Sequence, residues 1–415
     1  DALFKLDRIN DAKAVFEQAK NNGAKGEGFD QIEERLGTSI SKNSNPQEPP
    51  GDQFQSIVNL YTQGQYQEVL TQASRLQKQF PNSVDLYNIT GAANQCLGML
   101  DEAIEAYNKA VSIKPDYADA YYNLGNALKK QDKLEEAVEA YNKAVSIKPD
   151  YPDAYNNMGN ALKQQDRLGE AIEAYNKAVS IKPDYADAYY NLGNALKEQD
   201  KLGEAIEAYN KAVSIKPDYP DAYNNMGNAL KEQGKLYEAV ETYDKALSIK
   251  PDYAEAYTNM GNALKGLIFT KPNKDLQKTI VSLLDKATYV RPKNIAKAAI
   301  SLLKFEPSLQ KQLQLVDTDG LEDSPLDVIS DLCELSLLLK LMSVCPLPDL
   351  ELEKLLKNLR RSILSNVSAL KEKSPELLSF QSALALQCFT NEYIYNCTDE
   401  EERILQSLEV SVRRD

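Results

Sequence analysis

The chain has 415 residues, of which 42% are hydrophobic and 27% are charged, an ordinary composition for a folded globular protein. Its formal net charge of −14 argues against nucleic acid or an anionic membrane as a partner, because both attract basic surfaces. The chain contains no histidine, which removes the commonest general base and the commonest metal ligand. We therefore predict no catalytic centre, no metal site and no cofactor.

The five cysteines are widely spaced, and no two of them form a CxxC pair. Their odd number and their spacing favour free thiols in a reducing compartment, so we predict a cytoplasmic location. The longest apolar run, residues 335–344, is too short to span a bilayer, and we predict no membrane insertion.

The first 26 residues resemble the closing part of a unit that is repeated later in the chain. Residues 2–19 align with residues 127–144 at a constant offset of 125. We therefore expect residues 1–26 to be a truncated repeat whose front is missing. There is no initiator methionine, so the absence of a signal peptide carries no information about location. Residues 27–49 indicate a short helix and a flexible linker rich in Ser, Asn and Pro.

A unit of 34 residues then recurs several times. Its four clearest copies alternate between two sequence variants. Residues 186–219 therefore repeat residues 118–151 almost letter for letter, 68 positions later. A fixed period of this length predicts a stacked array of helical repeats, each of which contacts only its neighbours. Proteins of this kind usually provide a binding surface.

The array is less regular at both ends. Residues 50–83 and 84–117 are divergent copies, and the last copy begins at Ala254. The proline that closes this last copy, Pro292, lies 41 residues after Pro251, seven more than the 34-residue period. We therefore predict an array over residues 50–293, with six regular blocks and a last block whose two helices are joined by an enlarged loop.

Each block predicts two antiparallel helices. In one block the first runs from Ala118 to Lys130 and the second from Leu134 to about Ile147, because apolar residues recur three and four positions apart. Pro149 ends the second helix, since the residue before a proline is pushed out of helical geometry. Gly125 is small enough for the two helices to approach closely, and Tyr141 fills the remaining space.

Residues 294–415 lose the repeat but keep a helical pattern that is punctuated by prolines. We expect five or six helices here, forming a compact cap or a separate small domain. The chain ends inside an apparent amphipathic helix, so we expect the C-terminus to be truncated as well.

The repeated residues resemble the tetratricopeptide repeat (TPR) signature position by position. The matching residues of one block are Tyr121, Leu124, Gly125, Leu128, Ala137, Tyr141, Ala144 and Pro149. The resemblance implies an all-α fold: a right-handed TPR superhelix followed by a C-terminal helical region without repeats. It further implies that the first helices line a concave groove, which in this family typically holds an extended peptide or a partner helix.

Pairs of asparagines in an NxxN pattern mark the first helix of each clear block. A spacing of three places both amides of a pair on one helical face, and an amide can both donate and accept hydrogen bonds to a peptide backbone. A similar asparagine ladder lines the TPR groove of O-GlcNAc transferase. Alternatively, one asparagine of each pair ties neighbouring repeats together. The pairs are Asn123/Asn126, Asn157/Asn160, Asn191/Asn194, Asn225/Asn228 and Asn259/Asn262.

Two further rows of residues are candidates for the groove. One position of the repeat alternates between tyrosine and asparagine, in Tyr122, Asn156, Tyr190 and Asn224. This alternation could give a ligand chemically distinct contacts in every second repeat. We favour the alternative that it records duplication of a 68-residue unit. A row of lysines could hold a carboxylate of a partner, as clamp-type TPR domains do. A row of aspartates lies at the opposite end of the same helices, and the two rows could equally bond each other across neighbouring repeats, in weak surface pairs. These aspartates are Asp119, Asp153, Asp187 and Asp221. The lysines are Lys129, Lys163, Lys197, Lys231 and Lys265.

We predict that the chain is a protein–protein interaction scaffold that binds an extended peptide or a partner segment in the groove. An alternative is the targeting arm and middle region of a larger transferase. Residues 384–402 resemble the region between TPR repeats and a SAM-dependent methyltransferase domain in some large bacterial proteins, but no glycine-rich turn follows. A second alternative is self-assembly, since near-identical repeats can stack end to end.

Overall fold

A computed structural model describes residues 48–286, 289–315, 325–365, 375–390 and residue 403. The predicted truncated repeat, and the linker up to residue 47, lie outside the described residues. Most of the segment that resembles methyltransferase proteins also lies outside them. Within the described ranges the secondary structure consists of twenty helices, with no strand. The predicted all-α fold class is confirmed.

Twelve of these helices form the regular part of the array. Each block supplies two helices, and the bounds in the block that begins at Ala118 agree with the sequence prediction. The helices are α1 Gly51–Thr62, α2 Tyr66–Gln77, α3 Val84–Cys96, α4 Leu100–Ile113, α5 Ala118–Lys130, α6 Leu134–Ile147, α7 Pro152–Gln164, α8 Leu168–Ile181, α9 Ala186–Glu198, α10 Leu202–Ile215, α11 Pro220–Glu232 and α12 Leu236–Ile249.

The chain divides into two compact units, residues 1–182 and residues 183–415. Within each unit, the two helices of a block pack on each other as a hairpin. The second helix then packs on the first helix of the next block, as α4 does on α5 in the first unit and α10 on α11 in the second. This consecutive packing of helix pairs is typical of a TPR solenoid.

Close packing of a glycine against a tyrosine holds each hairpin together. A Cβ atom added to Gly125 would lie 2.6 Å from Cε1 of Tyr141, whose side chain is fully buried. The backbone of the first helix therefore touches the aromatic ring of the second directly. The same contact joins Gly91 to Tyr107, Gly159 to Tyr175, Gly193 to Tyr209 and Gly227 to Tyr243.

The last block departs from the predicted hairpin. Helix α13 (Ala254–Leu264) packs on α12, whereas α14 (Lys274–Asp285) packs against the helices that follow it and does not pair with α13. Gly261 faces Val290 in place of a tyrosine, with 2.9 Å from its added Cβ to the valine Cβ. The inserted residues cause this change. They replace the tight turn with a longer segment, in which the buried Phe269 packs on Tyr237 with its ring centroid 5.7 Å away.

Six helices follow in the described part of the C-terminal region. They fall in the same compact unit as the last repeats. The buried amide of Gln387 donates to the carbonyl oxygens of Met342 and Cys345, which ties the last helix to the end of α18. The six helices are α15 Pro292–Leu303, α16 Pro307–Leu315, α17 Pro325–Cys333, α18 Ser336–Val344, α19 Leu350–Ser365 and α20 Pro375–Thr390.

None of the helices that the structure describes is both long enough and apolar enough to cross a bilayer.

The glycine–tyrosine contact predicts a difference between two Gly→Ala variants. Gly193→Ala should lower the free energy of unfolding by about 1–3 kcal/mol, because its Cβ overlaps the Tyr209 ring in a packed core. Gly203→Ala is the matched control: its Cβ would lie 3.8 Å from its nearest neighbour, the Nε2 atom of Gln233. It should raise the free energy of unfolding by up to about 1 kcal/mol, because alanine has a higher helix propensity than glycine. Urea unfolding followed by circular dichroism measures both, and equal stability of the two variants would contradict the packing argument.

Candidate functional site

The asparagine pairs lie on the solvent-facing surface of the first helices, which we call the first-helix face. It is carried by α5 and α7 in the first unit and by α9, α11 and α13 in the second. First helices of neighbouring blocks contact one another within each unit, whereas neighbouring second helices do not pack to the same extent. The first helices are therefore the more closely spaced layer of the stack.

In four of the five pairs the second asparagine is held by the tyrosine that packs on the glycine. The hydroxyl of Tyr141 donates to Oδ1 of Asn126 at 2.7 Å, and Tyr175 bonds Asn160 in the same way at 2.7 Å. The second unit repeats the arrangement, with 2.7 Å from Tyr209 to Asn194 and 2.8 Å from Tyr243 to Asn228.

These four bonds fix the orientation of each amide. Oδ1 points into the hairpin, so Nδ2 points away from the tyrosine. Within the described residues, Nδ2 of these asparagines donates to no protein acceptor. Each one therefore leaves an N–H donor available at the partly exposed surface. The equivalent Asn262 is exposed, and its Oδ1 accepts a bond from Lys265 at 2.8 Å.

The first asparagine of four of the five pairs bonds the preceding repeat. Nδ2 of Asn157 donates to Oδ1 of Asn126 at 2.9 Å and to the hydroxyl of Tyr122 at 3.1 Å. Asn225 makes the same two bonds in the second unit, to Asn194 at 3.0 Å and to Tyr190 at 3.1 Å. Asn123 donates to Asn88 at 3.0 Å and Asn259 to Asn224 at 3.0 Å, while Asn191 also has an interaction partner. In four of the five pairs one asparagine thus links repeats, as the alternative interpretation of the sequence describes.

The alternating position gives two kinds of junction between repeats. Tyr122 is half-buried and packs on Tyr151, with ring centroids 4.9 Å apart, and Tyr190 packs on Tyr219 at 5.0 Å. By contrast, Asn224 is 0% exposed, and its Nδ2 donates to Glu255 at 3.0 Å. The expectation that all four alternating residues point toward the groove is therefore wrong for Asn156 and Asn224, whose side chains are buried.

Four lysines of the row are half-buried, and the fifth, Lys265, is exposed. Lys197 lies 3.7 Å from a carboxylate oxygen of Glu232 in the next block, and Lys163 also has a partner. Burial lowers the pKa of Lys129. Neither Lys129 nor Lys231 forms an ion pair with a described residue.

The predicted pairing of the lysines with the aspartates is not what the described contacts show. The aspartates instead accept hydrogen bonds from the tyrosine that closes their own block. Tyr253 donates to Asp221 at 2.8 Å, and Tyr117 donates to Asp85 at 2.9 Å. The aspartates are therefore occupied inside their own repeats, and the sequence prediction missed this use of the closing tyrosines.

Comparison with known proteins places the repeats in a family. The sequence model described as "TPR repeat" matches residues 96–132, 126–166, 159–200, 193–234 and 227–267. The chain is a tetratricopeptide repeat protein. No curated protein matches this TPR chain.

Several solved structures are similar to it. A crystal structure of MamA is 33% identical over 40% of this chain and 96% of that chain, with a TM-score of 0.38. A second MamA structure is 32% identical over 41% of this chain and 94% of that one, with a TM-score of 0.39. YrrB, described as a TPR protein with an unusual peptide-binding site, is 23% identical over 44% of this chain and 95% of its own, with a TM-score of 0.40.

The buried tyrosines predict a loss of stability in alkali. Burial raises the pKa of Tyr107, Tyr141, Tyr209 and Tyr243 above the ordinary value of 10.0. Above about pH 10 the unfolded chain therefore releases protons that the folded chain retains, and the free energy of unfolding falls as the pH rises further. The contribution is fully present below this pH.

Thermal unfolding at successive pH values between neutrality and strong alkali measures this effect. The double variant Tyr141→Phe/Tyr209→Phe should start less stable, because it loses two hydrogen bonds, but should lose less stability on going above pH 10. Equal pH dependence in the variant and the parent would contradict the assignment to these hydroxyls.

Proposed function

We propose that this TPR protein is an interaction scaffold whose first-helix face binds an extended segment of another polypeptide. Membership of the TPR family supports an interaction module. The observation that carries the finer proposal is the row of second asparagines, whose amides are oriented from behind by buried tyrosines.

The chemistry of this row suits a peptide backbone. Each oriented amide offers N–H donors to a carbonyl oxygen, an acceptor that every residue of an extended chain provides. Recognition of this kind depends little on the sequence of the bound segment. Because the tyrosine holds the amide before binding, less side-chain freedom is lost when the ligand arrives.

Other residues of the face would add selectivity. The half-buried rings of Tyr122 and Tyr190 offer apolar contact beside the amides. Lys129 and Lys231 have no carboxylate partner among the described residues, so each is available to an acidic group of the bound segment. These contributions belong to the same proposal and are secondary to the asparagine row.

A pair of double variants tests the asparagine row. A peptide is first selected from a random-sequence library on the parent chain, and its affinity is measured by fluorescence polarisation. Asn160→Ala/Asn228→Ala should weaken binding roughly tenfold or more, since two hydrogen bonds contribute about 1–3 kcal/mol together. These two positions are chosen because Asn126 and Asn194 also bond the next repeat, so that changing them would disturb a junction.

The control is Tyr175→Phe/Tyr243→Phe. It removes the same two tyrosine–asparagine hydrogen bonds but leaves both amides in place, and it should weaken binding by no more than about threefold through looser orientation. If the asparagine variant binds the selected peptide as tightly as the parent does, the proposed recognition surface is wrong. Circular dichroism of both variants checks that the array remains folded.

A further inference from the structure

A polar niche lies on the second-helix side of the first unit, between α2, α3 and α4. It is an open depression of about 620 Å3, a volume within the range of ligand-binding clefts. We call it the α2–α4 niche. Its principal lining residues are Tyr87, Thr90 and Asn94 from α3, and Glu102, Glu105 and Lys109 from α4.

The niche exists because this block departs from the repeat at core positions. The residues equivalent to Thr90 and Asn94 in the next block are Leu124 and Leu128, and both leucines are buried. Gln77 of α2 likewise takes the place of a valine, and its Nε2 donates to Oγ1 of Thr90 at 3.1 Å. Three positions that are apolar in the next block are thus polar at this junction, and Thr90 and Asn94 are smaller than the leucines they correspond to.

Asn94 is the residue that points to a ligand. Its side chain lines the niche but is only 6% exposed, and it makes no hydrogen bond to any other described residue. Neither Oδ1 nor Nδ2 of Asn94 is a buried atom without a partner, so the amide reaches the solvent of the niche and remains available to a ligand there. The carboxamide can donate and accept at once, which matches a peptide bond.

The niche is separate from the first-helix face. Residues 87, 90 and 94 share one side of α3, because successive residues of an α-helix are about 100° apart around its axis. The positions that carry the asparagine pair in later blocks are occupied here by Ile89 and Ala92, on the opposite side of α3. A ligand in the niche would therefore not compete for the face described above.

The charge of the lining selects one class of ligand. Glu102 and Glu105 are exposed and form no ion pair with a described residue, and Lys109 is the only cation among the lining residues. The carboxylates of Glu102 and Glu105 therefore favour binding of a cationic group, and the amide of Asn94 favours binding of a peptide bond. We propose that the α2–α4 niche binds a second polypeptide segment, with a peptide bond on Asn94 and a lysine or arginine side chain on Glu102 and Glu105.

The test uses a defined probe library and the full chain. Acetylated, amidated heptapeptides with a central arginine and randomised neighbours are selected on the parent, and affinities are measured by fluorescence polarisation. Asn94→Leu restores the residue of the later blocks, so it should raise the melting temperature. It should also lower the affinity for the selected peptide at least tenfold. Glu102→Gln/Glu105→Gln should lower the affinity for the same peptide at least tenfold and reduce the salt dependence of its binding.

Asn160→Ala/Asn228→Ala is the matched control and should leave this affinity unchanged. The proposal is overturned if no peptide is selected that depends on Asn94, or if the selected peptides bind Asn94→Leu within threefold of the parent. Loss of binding in Asn160→Ala/Asn228→Ala alone would also overturn it, because the peptide would then sit on the first-helix face. The two proposals therefore fail through different variants.

Discussion

Direct contact between a helix backbone and a buried tyrosine ring is the constraint on which the array depends. Each hairpin brings a glycine of the first helix against a tyrosine of the second, with no room for a Cβ between them. The ring fills the space between two closely spaced helices, and its burial supplies much of the apolar surface of the repeat. In the last block a valine takes the place of the tyrosine, and the hairpin is lost.

The same tyrosine also connects the core to the surface. Its hydroxyl cannot remain unpaired when the ring is buried, and it finds the nearest acceptor in the second asparagine of the block. One hydrogen bond therefore satisfies a core group and orients a surface amide. The packing of the hairpin and the chemistry of the first-helix face are consequently linked, and a change in one alters the other.

The alternation between two sequence variants of the repeat changes the contacts at the junctions between neighbouring repeats. A tyrosine at the alternating position packs on the tyrosine that closes its block, and it accepts a bond from the next repeat. An asparagine at the same position is buried and bonds directly to the next repeat, as Asn224 does to Glu255. In the second unit, the tyrosine junction at Tyr190 is followed by the asparagine junction at Asn224, as expected from duplication of a 68-residue unit.

The sequence by itself determined the helices, their pairing and the period, because apolar spacing, proline stops and the recurring glycine are local signals. It also placed both asparagines of each pair on one helical face. Only the tertiary structure decided which of the two links repeats and which presents its amide, since that depends on side chains 15 and 31 positions away in the chain. The burial of Asn156 and Asn224, the broken last hairpin and the polar niche around Asn94 were likewise decided by packing between helices. A periodic sequence pattern shows which residues share one face of a helix. It cannot show which of those residues stay exposed once a neighbouring helix packs against that face.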